Sequence, residues 1–503
     1  MTHWIIVPVV LPAVLGALIV LAMRNDLLLQ RVFGLAGTVV LTGVALALFR
    51  AAQLGPPEVY LLGNWPAPFG IVLMLDRLAA LLVLLTMVLA LFVQLYAIGT
   101  GWDAQGRHFH ALFLFQLMGL SGAFLTGDLF NLFVFFEVLL IASYGLMIHG
   151  GGRDRLRAGV QYVAFNLVGS TLFLFALATI YSVTGTLNMA DLAVKVALLP
   201  PGDMALLRVG AMLLLLVFAL KGALVPLQFW LPGTYAAAPG PVAALFAVMT
   251  KVGAYAVIRV YTLIFPPTAP ATGAMAGDVL LPAALVTLGI GAVGAMGAGT
   301  LARLVAFAAI ASMGTLFTAI ALFTPQATAA ALYYLLHSTF ATAILFLLAD
   351  LVLARRGTGT LRQALPPVAQ GGLLAALFFA GAIALAGLPP LSGFVGKLLI
   401  LQAARDHAAT VWPVILVTSL LMILGFAAAG STLFWKAHAT PRDPGPEPPA
   451  TTALPLVAVF GLTGCLVALT VLAGPVLRVL DATAADLYAP APYIAANALP
   501  AQD

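Results

Sequence analysis

Four ionisable residues lie inside long apolar runs of this chain. They are Glu137 in NLFVFFEVLLIASYGL, Lys221 in LLLLVFALKGALVPL, Lys251 in AALFAVMTKVGAYAV and Lys397 in LSGFVGKLLIL. A charge at the centre of a membrane helix costs about 3 kcal/mol on the mild insertion scale, so four of them cost on the order of 10 kcal/mol unless they pair, lose the charge or line water. The pattern therefore points to the movement of protons or cations across a membrane.

Glu137 is interpreted as a partner that tunes a lysine. A carboxylate within about 4–6 Å of an amine favours the ammonium, whereas burial favours the neutral amine. Moving or neutralising one partner then changes the proton affinity of the other, which is the elementary step of a pump. The alternatives are a carboxylate buried for structure and lysines that extend to the membrane surface, although the latter suits lysines near helix ends.

Two further residues are candidates on weaker signals. His337, in ALYYLLHSTFATAILF, can relay protons at physiological pH, or it is a hydrogen-bonded helix contact. Asp128 is expected to cap the helix that carries Glu137, with a role at an ion entrance as the alternative. Na⁺ prefers oxygen ligands, and the candidates are too generic to assign: Asp128, Ser143, Ser170 and Thr250.

The composition defines the class of protein. The 503 residues are 63% hydrophobic and 8% charged, whereas an ordinary soluble protein is about 25% charged. The chain is therefore a polytopic membrane protein. The single Cys465 excludes a disulfide scaffold and a cysteine-ligated cluster, and no nucleotide or metal motif is present, so no cofactor is expected. The net charge of +5 is attributed to basic loops rather than to nucleic-acid binding.

The apolar runs predict an all-α fold of about fourteen transmembrane helices, because about 20 apolar residues span the hydrocarbon core. The first run, Ile5 to Met23, is interpreted as a span rather than a removable signal. The predicted spans are 5–23, 31–50, 75–98, 110–126, 129–149, 158–182, 206–231, 240–264, 278–298, 300–323, 327–353, 372–404, 411–435 and 453–478.

Two of these spans are expected to be broken. The twelfth carries GLPPLSG (387–393), and the seventh carries Pro226 shortly after Lys221; proline interrupts a helix because it lacks a backbone donor. Broken helices in corresponding positions of two halves indicate an internal repeat with the transport site at the breaks. We therefore divide the chain into spans 1–3 (1–109), spans 4–8 (110–264), spans 9–13 (265–435), and a linker, last span and tail (436–503).

Basic loops set the orientation, because cytoplasmic loops carry an excess of Lys and Arg. The connections after odd-numbered spans hold Arg24, Arg31, Arg107, Arg153, Arg155, Arg157, Arg355, Arg356, Arg362, Lys436 and Arg442. Connections after even-numbered spans hold fewer basic residues, mixed with acidic ones. Both termini are thus expected outside the cytoplasm, with the proline-rich stretch 441–449 as a cytoplasmic linker. The tail after Leu480 is expected to be loosely ordered.

Three blocks of sequence resemble the antiporter-like membrane subunits shared by respiratory complex I and the multi-subunit Mrp (Mnh/Pha) cation/proton antiporters. They are GDLFNLFVFFEVLLIASYGL, FALKGALVPLQFWLPGTYAAAPGPVAALFAVMTKVGAYAVIR and LAGLPPLSGFVGKLLIL. They look like the fifth-helix glutamate block, the seventh- and eighth-helix block with both lysines, and the broken twelfth helix with its charged residue. Length and the fifth-helix block are most similar to the D-type subunits of Mrp antiporters.

The resemblance implies two inverted five-helix repeats, spans 4–8 and 9–13, each a half-channel. It also implies that Glu137 pairs with Lys221, that Lys251 passes protons along a hydrated mid-membrane axis, and that Lys397 ends the axis. His337 sits where the family has an eleventh-helix histidine. The implied location is the bacterial cytoplasmic membrane, and the implied partners are other membrane subunits, the lipid bilayer, H⁺, and Na⁺ or K⁺.

Two departures from the family pattern concern the second half. Where the family often reads Asp-Leu-Lys-Arg at the tenth helix, this chain has Thr300, Leu301, Ala302 and Arg303. A family lysine that often follows the eleventh-helix histidine is also missing, since Ala341 and Thr342 occupy that stretch. The relay of the second half-channel is thereby placed in question, which leaves Glu137, Lys221 and Lys251 as the primary candidates.

Three functions agree with these observations. The first is the proton-translocating subunit of a Na⁺(K⁺)/H⁺ antiporter, which is a secondary transporter rather than an enzyme. The second is a proton-pumping subunit of a redox complex, such as an NADH–quinone oxidoreductase or a membrane hydrogenase. The third is an inert scaffold, which the retention of Glu137 and all three lysines disfavours.

Overall fold

The fold is built almost entirely from α-helices. The computed structural model describes residues 2–199, 204–440, 452–497 and 499. Within them lie nineteen α-helices and one short β-hairpin. The proline-rich stretch 441–449, expected to be a linker, lies outside the described residues. Helix is the expected form here because a backbone in lipid must satisfy its hydrogen bonds internally.

The N-terminal region consists of three helices and the hairpin. Its elements are α1 (Val7–Ala22), α2 (Leu27–Leu54), β1 (Glu58–Leu61), β2 (Val72–Leu75) and α3 (Arg77–Thr100). The strands are antiparallel, with Glu58 opposite Leu75. The prediction of spans 1–3 did not include this hairpin, because it lies in the connection between two apolar runs.

Two groups of helices follow. The first group is α4 (Phe109–Leu125), α5 (Leu129–Met147), α6 (Arg153–Thr184), α7 (Met189–Leu198), α8 (Ala205–Lys221), α9 (Trp230–Ala237) and α10 (Gly240–Leu263). The second group is α11 (Met275–Met296), α12 (Leu301–Ile320), α13 (Pro325–Arg356), α14 (Gly371–Ala386), α15 (Ser392–Ala403) and α16 (Ala408–Gly430), whose end continues into a π-helical turn at Ser431–Trp435.

The C-terminal region holds three more helices, α17 (Ala453–Val471), α18 (Ala473–Leu487) and α19 (Ala491–Ala496). The expectation of a loose tail after Leu480 is wrong as far as residue 497. Tyr493 is buried and its ring lies 5.0 Å from the guanidinium of Arg259, and Asp486 pairs with Arg77 at 3.1 Å. These contacts are long-range, so local composition did not reveal them.

Every predicted span coincides with a helix or a pair of helices, and the described residues contain ten helices long and apolar enough to cross a membrane. The seventh span is broken into α8 and α9, and the twelfth into α14 and α15, as predicted. Shorter apolar helices, among them α1 and α4, fall below that length. The total of fourteen spans therefore stays a prediction.

Several helix bounds and β-bridges recur between the two groups of helices at a fixed offset. Helix α5 begins at Leu129 and α12 begins at Leu301, 172 residues later. Helix α6 (Arg153–Thr184) and helix α13 (Pro325–Arg356) are offset by the same 172 residues at both ends. The same offset relates two isolated β-bridges, Asp128 with Asn188 and Thr300 with Thr360. Helices α10 and α16 begin at Gly240 and Ala408, an offset of 168 residues. The recurrence supports the predicted repeat; its inversion across the membrane stays a prediction.

The centre of the molecule is formed by α10, α12 and α13. The most apolar stretch of α10 is 100% buried, against 94% for α13 and 89% for α12. The corresponding stretches of α2, α6 and α11 are 39% buried, and their outward faces are apolar, as lipid contact requires. Lys251 of α10 and His337 of α13 are therefore placed where neither bulk water nor lipid surrounds them.

Candidate functional site

Glu137 lies in the middle of α5 and is partly buried. Its Oε1 accepts a short hydrogen bond from the hydroxyl of Ser170 on α6. Ser170 is 6% exposed. The carboxylate of Glu137, a primary candidate from sequence, is thus bonded by Ser170. From sequence, Ser170 is only one of several generic oxygen ligands.

Lys221 is the last residue of α8, at the first break, and is buried. Its Nζ donates a hydrogen bond of 3.0 Å to Oδ1 of Asn166 on α6 and lies 6.0 Å from the ring centroid of Phe136. Asn166 Nδ2 donates to the carbonyl oxygen of Tyr162 at 2.8 Å. That bond fixes which end of the amide faces the lysine, because only the oxygen can accept.

Glu137 and Lys221 form no ion pair within 4.0 Å in the described part of the chain, although they are within electrostatic reach of each other. The direct pairing that the family resemblance implied is not present. Instead, α6 contacts both groups through Ser170 and Asn166, which are four residues apart and therefore on one helix face.

A small cavity adjoins Lys221. It measures about 20 Å³ and is lined by Lys221, Asn166, Tyr162, Trp230 and five apolar residues. This is enough room for about one water molecule, provided that polar partners are present. Lys221 therefore has space to exchange a hydrogen-bond partner.

Lys251 lies mid-helix on α10 and is 1% exposed. Its Nζ donates to the Sδ of Met313 on α12 at 3.2 Å, and a thioether is a weak acceptor. Gly253 of the same helix packs against the first break, since a Cβ there would lie 2.7 Å from the backbone nitrogen of Gly222 and from the carbonyl oxygen of Phe218. The close approach brings α10 against the end of α8.

His337 lies on α13 and is fully buried. Its Nδ1 is 2.9 Å from Oγ of Ser392, the first residue of α15, and its Nε2 has no hydrogen-bond partner within the described residues. The ring lies within electrostatic reach of both Lys251 and Lys397. Both lysines therefore influence the same buried ring.

Lys397 lies on α15, after the second break, and is buried. Its Nζ donates to the carbonyl oxygen of Ala386, the last residue of α14, at 2.7 Å and to Oγ of Ser419 on α16 at 2.8 Å. The free carbonyl at a helix break serves here as the acceptor for a buried ammonium, as in interrupted transporter helices.

Asp128 caps α5, as predicted, because its Oδ1 accepts from the backbone nitrogen of Asn131 at 2.8 Å. It lies in the connection between α4 and α5 and is 9% exposed. Burial raises the pKa of its carboxyl to about 6, against hydrogen bonds that lower it. The described residues contain no group of three or more His, Cys, Asp or Glu side chains that could hold a metal.

The two departures, Ala302 and Thr342, are uncharged side chains. Ala302 lines a cavity of about 180 Å³ near the N-terminus of α12, and Thr342 is buried with no partner for its hydroxyl among the described residues. The structure brings His337, Lys251 and Lys397 into one neighbourhood and Glu137 and Lys221 into another.

Sequence reasoning did not assign roles to Ser170, Asn166, Met313, Ser392 or Ser419. The serines and Asn166 are marked in the sequence only as polar residues in apolar runs, and Met313 is not marked at all. Many polar residues in such runs bond their own helix backbone instead, Thr262 and Thr318 among them. The contacts between helices distinguish the two groups.

Comparisons with known proteins show the family to which the chain is similar. The family model "NADH:quinone oxidoreductase/Mrp antiporter, TM" matches residues 126–423. The D-type subunit of a probable K⁺/H⁺ antiporter of Rhizobium meliloti is 39% identical over 97% of this chain and 96% of its own length. The D-type subunit of a Na⁺/H⁺ antiporter of Bacillus subtilis is 38% identical over 92% of this chain and 94% of its own.

Solved structures show the same fold. A chain of the Mrp complex from Dietzia sp. superposes with a TM-score of 0.88 at 29% identity, covering 99% of this chain and 100% of that chain. A chain of respiratory complex I from Thermus thermophilus superposes with a TM-score of 0.78 at 29% identity, covering 96% and 99%.

Proposed function

This chain belongs to the NADH:quinone oxidoreductase/Mrp antiporter family of membrane subunits, and we propose on that basis that it is the proton-translocating, D-type subunit of a multi-subunit Na⁺(K⁺)/H⁺ antiporter. It is a multi-pass membrane transporter subunit rather than a catalytic enzyme. We further propose that the chain lies in the bacterial cytoplasmic membrane with both termini outside the cytoplasm. The transported ions are H⁺ and either Na⁺ or K⁺.

The observation that carries the proposal is the burial of four cationic or titratable side chains in the interior of the helix bundle. Lys221, Lys251, His337 and Lys397 are each at most 8% exposed, and each has a hydrogen-bond partner on another helix. None extends to the membrane surface, so the alternative of lysines as surface anchors has no support. Buried titratable groups in a membrane serve proton relays.

In the proposed mechanism, Glu137 and Lys221 load and unload the proton. Protonation of Glu137 removes the charge that favours the ammonium, so Lys221 releases its proton toward Lys251. His337 carries it on toward Lys397, and counter-transport of the cation occurs elsewhere in the complex. Residues 110–264 and 265–435 are the two half-channels of this path.

The curated relatives favour the antiporter over the redox alternative, because those matched at 38–39% identity are named as D-type subunits of cation/proton antiporters. The similarity to complex I, and to an archaeal membrane-bound sulfane sulfur reductase at a TM-score of 0.87, keeps a redox complex as the second candidate. Affinity purification of the tagged chain decides between them. Small membrane subunits alone support the first, and co-purifying iron–sulfur subunits support the second.

The direct test is dye-quenching antiport with Na⁺, K⁺ and Li⁺ in inverted vesicles that contain the whole complex. Glu137→Ala and Lys221→Ala are expected to reduce antiport by about 100-fold or more, since positioned proton-transfer groups contribute that much, while the complex still assembles on native gels. Matched controls are Glu58→Ala in β1 and Lys195→Ala on α7. Near-normal antiport in either test variant would overturn the assignment.

A further inference from the structure

The most informative contact that the mechanism above does not use is the one that α6 makes with both members of the proton-loading pair. Ser170 donates to Glu137, and Asn166 accepts from Lys221. Both α6 residues are nearly fully buried, at 6% and 1% exposed, and neither belongs to the charged set. We propose that Ser170 and Asn166 are positioning residues that hold Glu137 and Lys221 in an open pair, coupled through space but without direct contact.

An open pair differs from a contact pair in how firmly it holds a proton. A carboxylate in contact with a buried ammonium stabilises that ammonium strongly, because the interaction grows as the distance and the local dielectric constant fall. A lysine in such a pair would release its proton with difficulty. When the carboxylate of Glu137 and the ammonium of Lys221 stay more than 4.0 Å apart, each charge still acts on the other electrostatically. Lys221 nevertheless remains able to release its proton. The inference rests on the proposed function, whose reaction it refines.

Each α6 residue is fitted to one end of the pair. Asn166 is oriented by its bond to the carbonyl oxygen of Tyr162, so its amide oxygen is presented to Lys221. The Ser170 hydroxyl donates to the Glu137 carboxylate. Because the two are four residues apart on one rigid helix, they fix the separation of the groups that they hold.

The charged and titratable surroundings of Lys221 are few. Glu137 and Tyr144 lie on α5, Tyr162 lies on α6 with its hydroxyl bonded to Ser143 at 2.9 Å, and Lys251 lies on α10. On α8 itself the other charged residue is Arg208, near the opposite end, bonded to the carbonyl oxygen of Ala271. Glu137 is therefore the anionic group whose position governs Lys221.

The two substitutions Ser170→Ala and Asn166→Leu are expected to shift the pH profile of antiport in opposite directions. Ser170→Ala frees the carboxylate to approach the ammonium, so Lys221 retains its proton to higher pH and the profile moves to higher pH. Asn166→Leu removes the acceptor of the ammonium, so the neutral amine is favoured and the profile moves to lower pH. Each shift is expected to be about one pH unit, since a hydrogen bond to a charged group carries that much free energy.

Three variants complete the experiment, which uses the whole complex in vesicles. Asn166→Asp is nearly isosteric and places a carboxylate against Lys221, so it is expected to shift the profile to higher pH. Ser170→Thr keeps the hydroxyl and is expected to retain the parent profile. Thr171→Val removes an exposed hydroxyl from the neighbouring position of α6, where it bonds only the backbone of Leu167, and is expected to change nothing.

A merely structural role for α6 would lower activity and melting temperature without moving the profile. Unshifted profiles in Ser170→Ala and Asn166→Leu, or shifts of the same sign, would overturn the positioning proposal. If Lys221→Ala abolishes antiport in the same assay, the proposed function still stands. If Lys221→Ala retains antiport, the function itself is wrong.

Discussion

The two groups of helices share several helix bounds and a β-bridge at a fixed offset, but their buried side chains differ. By the 172-residue offset, Glu137 corresponds to Ala309, and Asn166 and Ser170 correspond to Ser338 and Thr342. Ala309 is 4% exposed, so the second half has an apolar side chain where the first half has its carboxylate. The hydroxyl of Thr342 accordingly has nothing to hold.

The lysines differ in the same way. The first half carries Lys221 before its break and Lys251 on the helix that follows, whereas the second half carries Lys397 after its break. By the 168-residue offset, Lys251 corresponds to Ser419. Lys397 donates both to that serine and to the end of the helix before the break. The ammonium of Lys397 thus contacts two positions of the second half, the end of the helix before the break and Ser419. The equivalent positions of the first half carry Lys221 and Lys251.

The comparison teaches that the scaffold and the proton chemistry are separable. The broken helices, the caps and the bridges recur in both halves, while the acid that can switch a lysine occurs in one. In the proposed mechanism, the first half therefore loads and releases a proton against a local counter-charge, and the second half passes it on. The following substitutions test that division, beginning with the one expected to have the largest effect.

Gly253→Leu is expected to abolish antiport and to reduce the amount of assembled complex. A side chain there would collide with the backbone of the first break, which cannot yield as a flexible side chain would, and overpacking costs about 1–3 kcal/mol or more. The corresponding residue of α16 is Leu421, so the second half already accommodates a side chain at this position.

The measurements for Gly253→Leu are antiport and the melting temperature of the purified complex. Gly289→Leu is the control, since a Cβ at Gly289 on α11 would meet nothing within 4 Å. If Gly253→Leu is as stable and as active as Gly289→Leu, the close contact between α10 and the first break has no role.

Much of this scaffold was predictable from sequence, for reasons that the same residues show. Apolar runs of the right length marked the spans, Pro226 and the GLPPLSG stretch marked the breaks, and Asp128 marked a helix start. These signals are local. The partners of the charged groups were not predictable, because Ser170 resembles any other hydroxyl in an apolar run until α5 and α6 are packed together.

The repeat itself illustrates the same limit. In the sequence, spans 4–8 and 9–13 are paired by their breaks alone. The structure pairs Asp128 with Asn188 and Thr300 with Thr360 in the same way, although the capping residues differ. A backbone pattern that different side chains can satisfy leaves little trace in sequence.

Gly387→Ala is expected to lower antiport about fivefold, while Ala223→Gly in the first break preserves it. Gly387 has φ 84°, and a Cβ there would lie 2.6 Å from Cδ of Lys397, so the lysine must move from its acceptors. Ala223 has φ 54°, a conformation that costs a residue other than glycine about 1–2 kcal/mol.

The measurements are the antiport rates and melting temperatures of Gly387→Ala and Ala223→Gly, each compared with the parent. Ala223→Gly is expected to melt at or slightly above the parent temperature, since the strain removed exceeds the added backbone entropy. Equal activity of Gly387→Ala and the parent would show that Lys397 does not need its position over Gly387.

Ser419→Ala is expected to slow antiport about two- to fivefold. Lys397 loses one of two hydrogen bonds and keeps the carbonyl oxygen of Ala386, so the ammonium remains held. Thr418→Val on the same helix is the control, because that hydroxyl bonds only the backbone of α16. A loss as large as that of Lys221→Ala would mean that Ser419 itself carries protons.

Thr342→Val is expected to leave antiport within about twofold of the parent and the melting temperature unchanged or slightly raised. The replacement keeps the shape of the side chain and removes a buried hydroxyl without a partner, whose burial is unfavourable. The corresponding Ser170→Ala in the first half should shift the pH profile, because a carboxylate depends on that hydroxyl. A shifted profile or a tenfold loss in Thr342→Val would show that the second half also uses this position to hold a proton carrier, and the division between the halves would then be wrong.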